Sequence, residues 1–155
     1  MEREIELFVG VTRYQFREDT IRELALKCID FLEDLFPSGD VSIALLSNKR
    51  IAELHKEYLE DPTTTDVITF PGDPELLFAG EVCVSVDKAF ESCEEHDYTP
   101  SQELVLYIVH GLLHLAGKLD KTESDIQEMR KWEKLAMEHL ELNPKLKLVW
   151  RSSLL

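Results

Sequence analysis

Apolar positions along this chain switch between two spacings. Residues 4–9 (Glu-Ile-Glu-Leu-Phe-Val) partly alternate, which predicts a strand. From Thr20 to Phe36, Ile21, Leu24, Ala25, Cys28, Leu32 and Leu35 recur at helical spacing, and Pro37 with Gly39 ends the run. Over 41–46, Val41, Ile43 and Leu45 fall on one side of a second strand. Ile51, Leu54 and Tyr58 return the pattern to a helix over 48–59. Pro62-Thr63-Thr64-Thr65-Asp66 reads as a loop, and Val67–Phe70 as a short strand stopped by Pro71-Gly72. Val82, Val84 and Val86 alternate with Cys83 and Ser85 in a strand over Gly80–Val86, and a short acidic helix follows over Asp87–Glu95.

The best-marked element comes next. Thr99 is a capping residue, Pro100 suits the first helical position, and Gln102 stands where a capping box needs it. The helix should run to Ala116 and stop at Gly117. Leu104 to Leu115 is almost wholly apolar, and a helix apolar all round is a buried one. Ile126, Met129, Trp132, Ala136 and Leu140 mark a last amphipathic helix. Strands and helices mix without strict alternation. The expected class is therefore α+β, a mixed sheet of about four strands packed with helices.

The 155 residues contain no repeat or Gly/Ser linker, so the expectation is one domain over 1–155. No apolar run is long enough to span a membrane, and the N-terminus lacks the basic and apolar regions of a signal peptide. Both point to a cytoplasmic protein. Cys28, Cys83 and Cys93 are far apart, with no Cys-x-x-Cys, and read as reduced thiols rather than zinc ligands. Seventeen Lys and Arg against 31 Asp and Glu give a net charge of −14. That argues against tight nonspecific binding to nucleic acid, which depends on cationic contacts with phosphate. Lys145, Lys147 and Arg151 make the tail locally basic, as a solvated tail often is.

The chemistry concentrates in His110-Gly-Leu-Leu-His114-Leu-Ala-Gly117-Lys-Leu-Asp120. Histidines four apart on a helix leave from one face, where two imidazoles can meet one metal ion. The turn at Gly117 would bring Asp120 back toward them, with Glu123 and Asp125 as rival third ligands. Three protein ligands and one open position describe a catalytic zinc site, which makes a water nucleophile available near neutral pH. Two such histidines left buried and unsatisfied would each cost about 1–3 kcal/mol. Zinc proteases carry Glu directly after the first histidine as general base. Here that residue is Gly111, so the protease mechanism lacks its base.

Residues 110–117 resemble the His-Gly-x-Leu-His-Leu-x-Gly motif of the YbeY family, bacterial endoribonucleases. Thr65-Asp66-Val67-Ile68-Thr69-Phe70-Pro71 is similar to that family's Thr-Asp-Val-Leu-Ser-Phe-Pro segment, and Gly80-Glu81-Val82 to its Gly-Asp-Ile strand start. Met129 and Glu133 fall where its closing helix has Met and Glu. The resemblance runs in order from about Asn48 to Glu133. It implies one zinc ion on His110, His114 and Asp120, and cleavage of single-stranded RNA. It further implies rRNA maturation at the 16S rRNA 3′ end, ribosome quality control, and rRNA precursor and ribosomal proteins as partners.

Two positions depart from the family pattern. Its third ligand is usually histidine, whereas residue 120 is Asp; a carboxylate also binds zinc, and two histidines with one carboxylate suit iron(II) as well. Leu59 stands where the family commonly has an arginine after the residue matching Tyr58; Lys49, Arg50 and Lys56 are candidate substitutes, but they read first as solvated charges on a helix. Thr65 and Asp66 are expected to line a substrate cleft, and Glu81 is a candidate general base beside the metal-activated water. The alternatives are a noncatalytic ribosome-assembly factor with a structural metal, which Leu59 and the acidity favour, and a metal-dependent hydrolase of peptides or small molecules.

Overall fold

The computed structural model describes residues 3–59 and 66–153. In chain order these form β1 (Ile5–Val9), β2 (Tyr14–Phe16), α1 (Glu18–Leu32), β3 (Asp40–Leu46), α2 (Asn48–Leu59), β4 (Val67–Asp73), β5 (Phe78–Ser85), α3 (Val86–Ser92), α4 (Pro100–Leu115), α5 (Glu123–Leu140) and β6 (Val149–Arg151). The main sheet has four strands in the order β1-β3-β5-β4. β1, β3 and β5 run parallel, and β4 pairs antiparallel with β5 at the edge. This is the α+β class with a mixed sheet that the spacing predicts.

Alternation along the strands assigns the two faces. Val41, Ile43, Leu45, Val82 and Val84 belong to the larger core with residues of α1, α4 and α5. Ala44, Leu46, Ile68 and Cys83 point the other way and pack with Ile51 and Leu54 of α2. α4 lies in the larger core, with Leu104, Leu112 and Leu113 fully buried. Burial of each such side chain contributes roughly 1.5–3 kcal/mol.

Two expectations need correction. The strand at Val67 does not stop at Pro71-Gly72 but continues to Asp73, with Pro71 opposite Gly80 and Asp73 opposite Phe78. β4 is an edge strand, where a proline lacking its N–H is tolerated. Gly72 fits because a Cβ there would meet the Phe78 carbonyl oxygen at 1.9 Å. The C-terminal segment is also more than a solvated tail. Phe16 pairs with Val149 and Tyr14 with Arg151 in a two-stranded antiparallel ribbon. The Ser101 hydroxyl at the start of α4 accepts from the Leu148 and Val149 amides. The side chain of Leu59, the residue Thr65 and most of its loop lie outside the described residues.

Candidate metal centre

α4 is built to deliver two histidines to one point. Its start carries the predicted capping box: Gln102 N–H donates to Thr99 Oγ1 and Thr99 N–H to Gln102 Oε1. At its other end Gly117 takes φ +95°, the left-handed region that suits glycine. Gly117 N–H donates to the His114 carbonyl and Lys118 N–H to the Leu113 carbonyl, the paired bonds of a Schellman stop. That turn fixes the Lys118 carbonyl, which accepts from His114 Nδ1 at 2.9 Å. It also returns Asp120 to the exposed side of the two rings.

The ligand atoms converge. His110 Nε2 and His114 Nε2 are 3.0 Å apart, and Asp120 Oδ2 lies 3.2 Å from the second and 3.4 Å from the first. The edge of a tetrahedron built with zinc–ligand bonds of 2.0–2.1 Å is about 3.3 Å. Protonation follows from the partners. His114 Nδ1 faces a carbonyl and His110 Nδ1 faces the Glu133 carboxylate at 2.6 Å, so each Nδ1 carries the hydrogen. In the neutral rings each Nε2 is then a lone pair. Two lone pairs and a carboxylate oxygen facing one another repel unless a cation sits between them, so this donor set fits a divalent metal. Among the described residues these three form a group able to hold a metal ion.

Glu133, from α5, is the residue that the motif did not reveal. It is almost fully buried and is held by His110 and by Arg130 Nη1 at 2.7 and 2.8 Å. Burial pushes its carboxyl up, but the hydrogen bonds from His110 and Arg130 outweigh this and hold it below the ordinary glutamate value. It stays ionised and fixes the His110 tautomer. The resemblance marks its position four residues after Met129, but not its partner twenty-three residues earlier.

The other candidates separate. Asp66 lines the same cleft of about 590 Å³ as His110, Asp120 and Glu133, together with His96 and Tyr98. Glu81 does not. It alternates onto the opposite sheet face, where Ser42 Oγ donates to it, and shares a second groove with Phe8, Arg50 and Tyr58. Arg50 lies in that groove and pairs with Glu53; Lys49 and Lys56 are exposed on α2, and none of the three lines the metal cleft. Asp125 is engaged in the Thr122 capping box at the start of α5, and Glu123 stands in that helix's first turn outside the ligand trio. All three cysteines are free and buried, and burial pushes the Cys28 and Cys83 thiols up to about 12, far from thiolate chemistry. Among the described residues no helix is long and apolar enough to cross a membrane.

Comparison with known proteins places the chain in a family. A family model described as Endoribonuclease YbeY matches residues 10–141. Proteins named Endoribonuclease YbeY are similar in sequence. One from Protochlamydia amoebophila is 38% identical over 105 residues, covering 65% of this chain and 70% of that protein. One from Campylobacter jejuni is 37% identical over 121 residues, covering 75% and 87%. One from Clostridioides difficile is 30% identical over 132 residues, covering 80% and 86%. A Thermotoga maritima protein solved in solution shares the fold, with a TM-score of 0.60 at 23% identity over 92% of this chain and 99% of that one. With the family model spanning most of its length and its histidine pair set in an open cleft, this chain belongs to the YbeY family.

Proposed function

We propose that this protein is a zinc-dependent endoribonuclease that cuts single-stranded RNA during rRNA maturation, including at the 16S rRNA 3′ end, and serves ribosome quality control in the cytoplasm. In this reading residues 1–155 act as one hydrolase domain, with rRNA precursor and ribosomal proteins as partners. The observation that carries it is the trio His110, His114 and Asp120, spaced like a tetrahedral edge with both outer nitrogens tied down, in a member of an endoribonuclease family. A divalent ion bound there supplies Lewis acidity toward a phosphodiester oxygen and lowers the pKa of water.

The chain's own residues do the rest. Glu133 and the Lys118 carbonyl orient the two rings. Asp120, 42% exposed, closes the trio on its solvent side and leaves the cleft open above it. Arg130, paired with Glu133, and Lys134 line the α5 wall of that cleft, placing cationic groups where a phosphate backbone would enter. Asp66 lines the cleft from the foot of β4 and restricts the strand's path. Two histidines with one carboxylate also suit iron(II), so the metal's identity is settled by analysis of the purified protein.

The test is elemental analysis of untagged protein, then cleavage of an unstructured RNA before and after chelation and reloading. Near one zinc per chain, with cleavage lost on chelation and restored by zinc, is expected. Metal-loaded protein that cuts no RNA yet binds a ribosomal component would transfer the reading to a noncatalytic assembly factor, the alternative that Leu59 and the charge of −14 favour. Glu133→Gln provides a finer check. It keeps the shape but weakens the acceptor for His110 Nδ1–H, so zinc affinity should fall about 10–100-fold in competition with a chromophoric chelator. Unchanged affinity would show that Glu133 only packs.

A further inference from the structure

The cleft extends beyond the metal trio. Glu103 precedes His110 by seven residues on α4, so both side chains leave the same stripe of the helix about 10 Å apart along its axis. Glu103 is fully buried, and a carboxylate withdrawn from water needs a hydrogen-bond donor. His96 supplies it, with Nδ1 2.8 and 3.1 Å from the two carboxylate oxygens. The His96 side chain is nonetheless 49% exposed and lines the cleft beside Tyr98. Asp97 between them takes φ +57°, a left-handed turn that lets residues 96 and 98 reach the same cleft.

The two rings are not stacked on each other. Their centroids lie 5.9 Å apart with the planes tilted by 47°, which is not a parallel stack. Burial, then the charges of Glu103 and Glu133, push the Tyr98 phenol above its ordinary value, so it lies in the field of both carboxylates. The cleft thus holds two carboxylate–histidine pairs, Glu133 with His110 of the metal trio and Glu103 with His96, and Tyr98 lines it with them. Across the cleft, Arg130 and Lys134 are one turn apart on α5, and Arg130 is already committed to Glu133.

We infer that His96 and Tyr98 form a nucleotide subsite beside the metal trio, where an unpaired RNA base stacks on the two rings while Lys134 takes a flanking phosphate. The inference rests on the RNA reading of this cleft. Stacking on aromatic side chains accepts any base but requires one free of its own duplex, so the subsite would be a source of single-strand selectivity. Glu103 acts as a positioning residue by holding the His96 ring at a fixed angle.

The test reads binding separately from cleavage. Fluorescence anisotropy of an unstructured oligoribonucleotide on chelated protein gives affinity, and steady-state cleavage by zinc-loaded protein gives KM and kcat. Tyr98→Ala should weaken binding and raise KM roughly tenfold, with kcat and zinc content little changed. Tyr98→Phe, which keeps the ring, should stay near wild type. His96→Asn keeps a donor for Glu103 but removes the ring, and should behave like Tyr98→Ala while folding normally. The inference is overturned if wild type binds and cuts RNA and both Tyr98→Ala and His96→Asn match it. A loss in His96→Asn confined to kcat would also overturn it, making His96 a proton-transfer group. Wild type that neither binds nor cuts RNA would remove the RNA reading itself.

Discussion

His114→Ala should abolish zinc binding at micromolar metal and, with it, RNA cleavage. The variant loses a donor from a trio whose atoms are already spaced for one ion. It also leaves the Lys118 carbonyl without its imidazole partner. Loss of a mere outer partner weakens metal binding about 10–100-fold, so loss of a ligand should exceed that. Asp120→Ala should fall between His114→Ala and wild type, because it keeps both nitrogens and opens a position that water can fill. Thermal unfolding supplies a readout that needs no substrate. A ligand present at a thousand times its Kd stabilises the native state by about 4.1 kcal/mol, which for a chain of this size raises Tm by roughly 8–16 °C. Wild type should show that rise when zinc is added to chelated protein, and His114→Ala should show none. Equal zinc-induced shifts in the two proteins would remove His114 from the ligand set.

The parts legible in the sequence are those governed by local rules. The period-2 runs at Val41–Leu45 and Val82–Val84 and the capping box at Thr99 were sufficient, because each side chain's role follows from its near neighbours. The His110/His114 pair was legible for the same reason: four residues on a helix is a distance in space as well as in sequence. What escaped depends on partners far along the chain. β2 and β6 are three residues each, and Phe16 is recognisable as a strand residue only beside Val149. Glu103 looks like one polar residue at the edge of an apolar run until the turn at Asp97 brings His96 over it. Glu81 illustrates the converse. Alternation assigned it to the face of Cys83, but nothing local told which face α4 would cover.

The same packing explains why Gly111 occupies the position where zinc proteases keep their glutamate. Gly111→Ala should lower stability by about 1–3 kcal/mol and Tm by roughly 2–12 °C. On an exposed helix the same change would stabilise by about 1 kcal/mol, so the expected sign is itself the test. A Cβ at residue 111 would lie 2.3 Å from Val82 Cγ1, 3.1 Å from Val82 Cγ2 and 3.2 Å from Val67 Cγ1. Val82 is fully buried and branched at Cβ, so it cannot swing aside. The helix must lift from the sheet instead, and it carries His110 away from Glu133 as it does so. Zinc affinity should fall along with stability, although residue 111 touches no ligand atom. Val82→Ala in the same chain removes both clashing methyls, so the double variant should be more stable than the sum of the single losses predicts, by about 0.5–3 kcal/mol. A Gly111→Ala protein that melts at or above wild type would show that α4 has room to spare. If it melts lower, a glutamate at residue 111 is closed to this fold on steric grounds alone, and any hydrolysis performed here must find its proton acceptor elsewhere in the cleft.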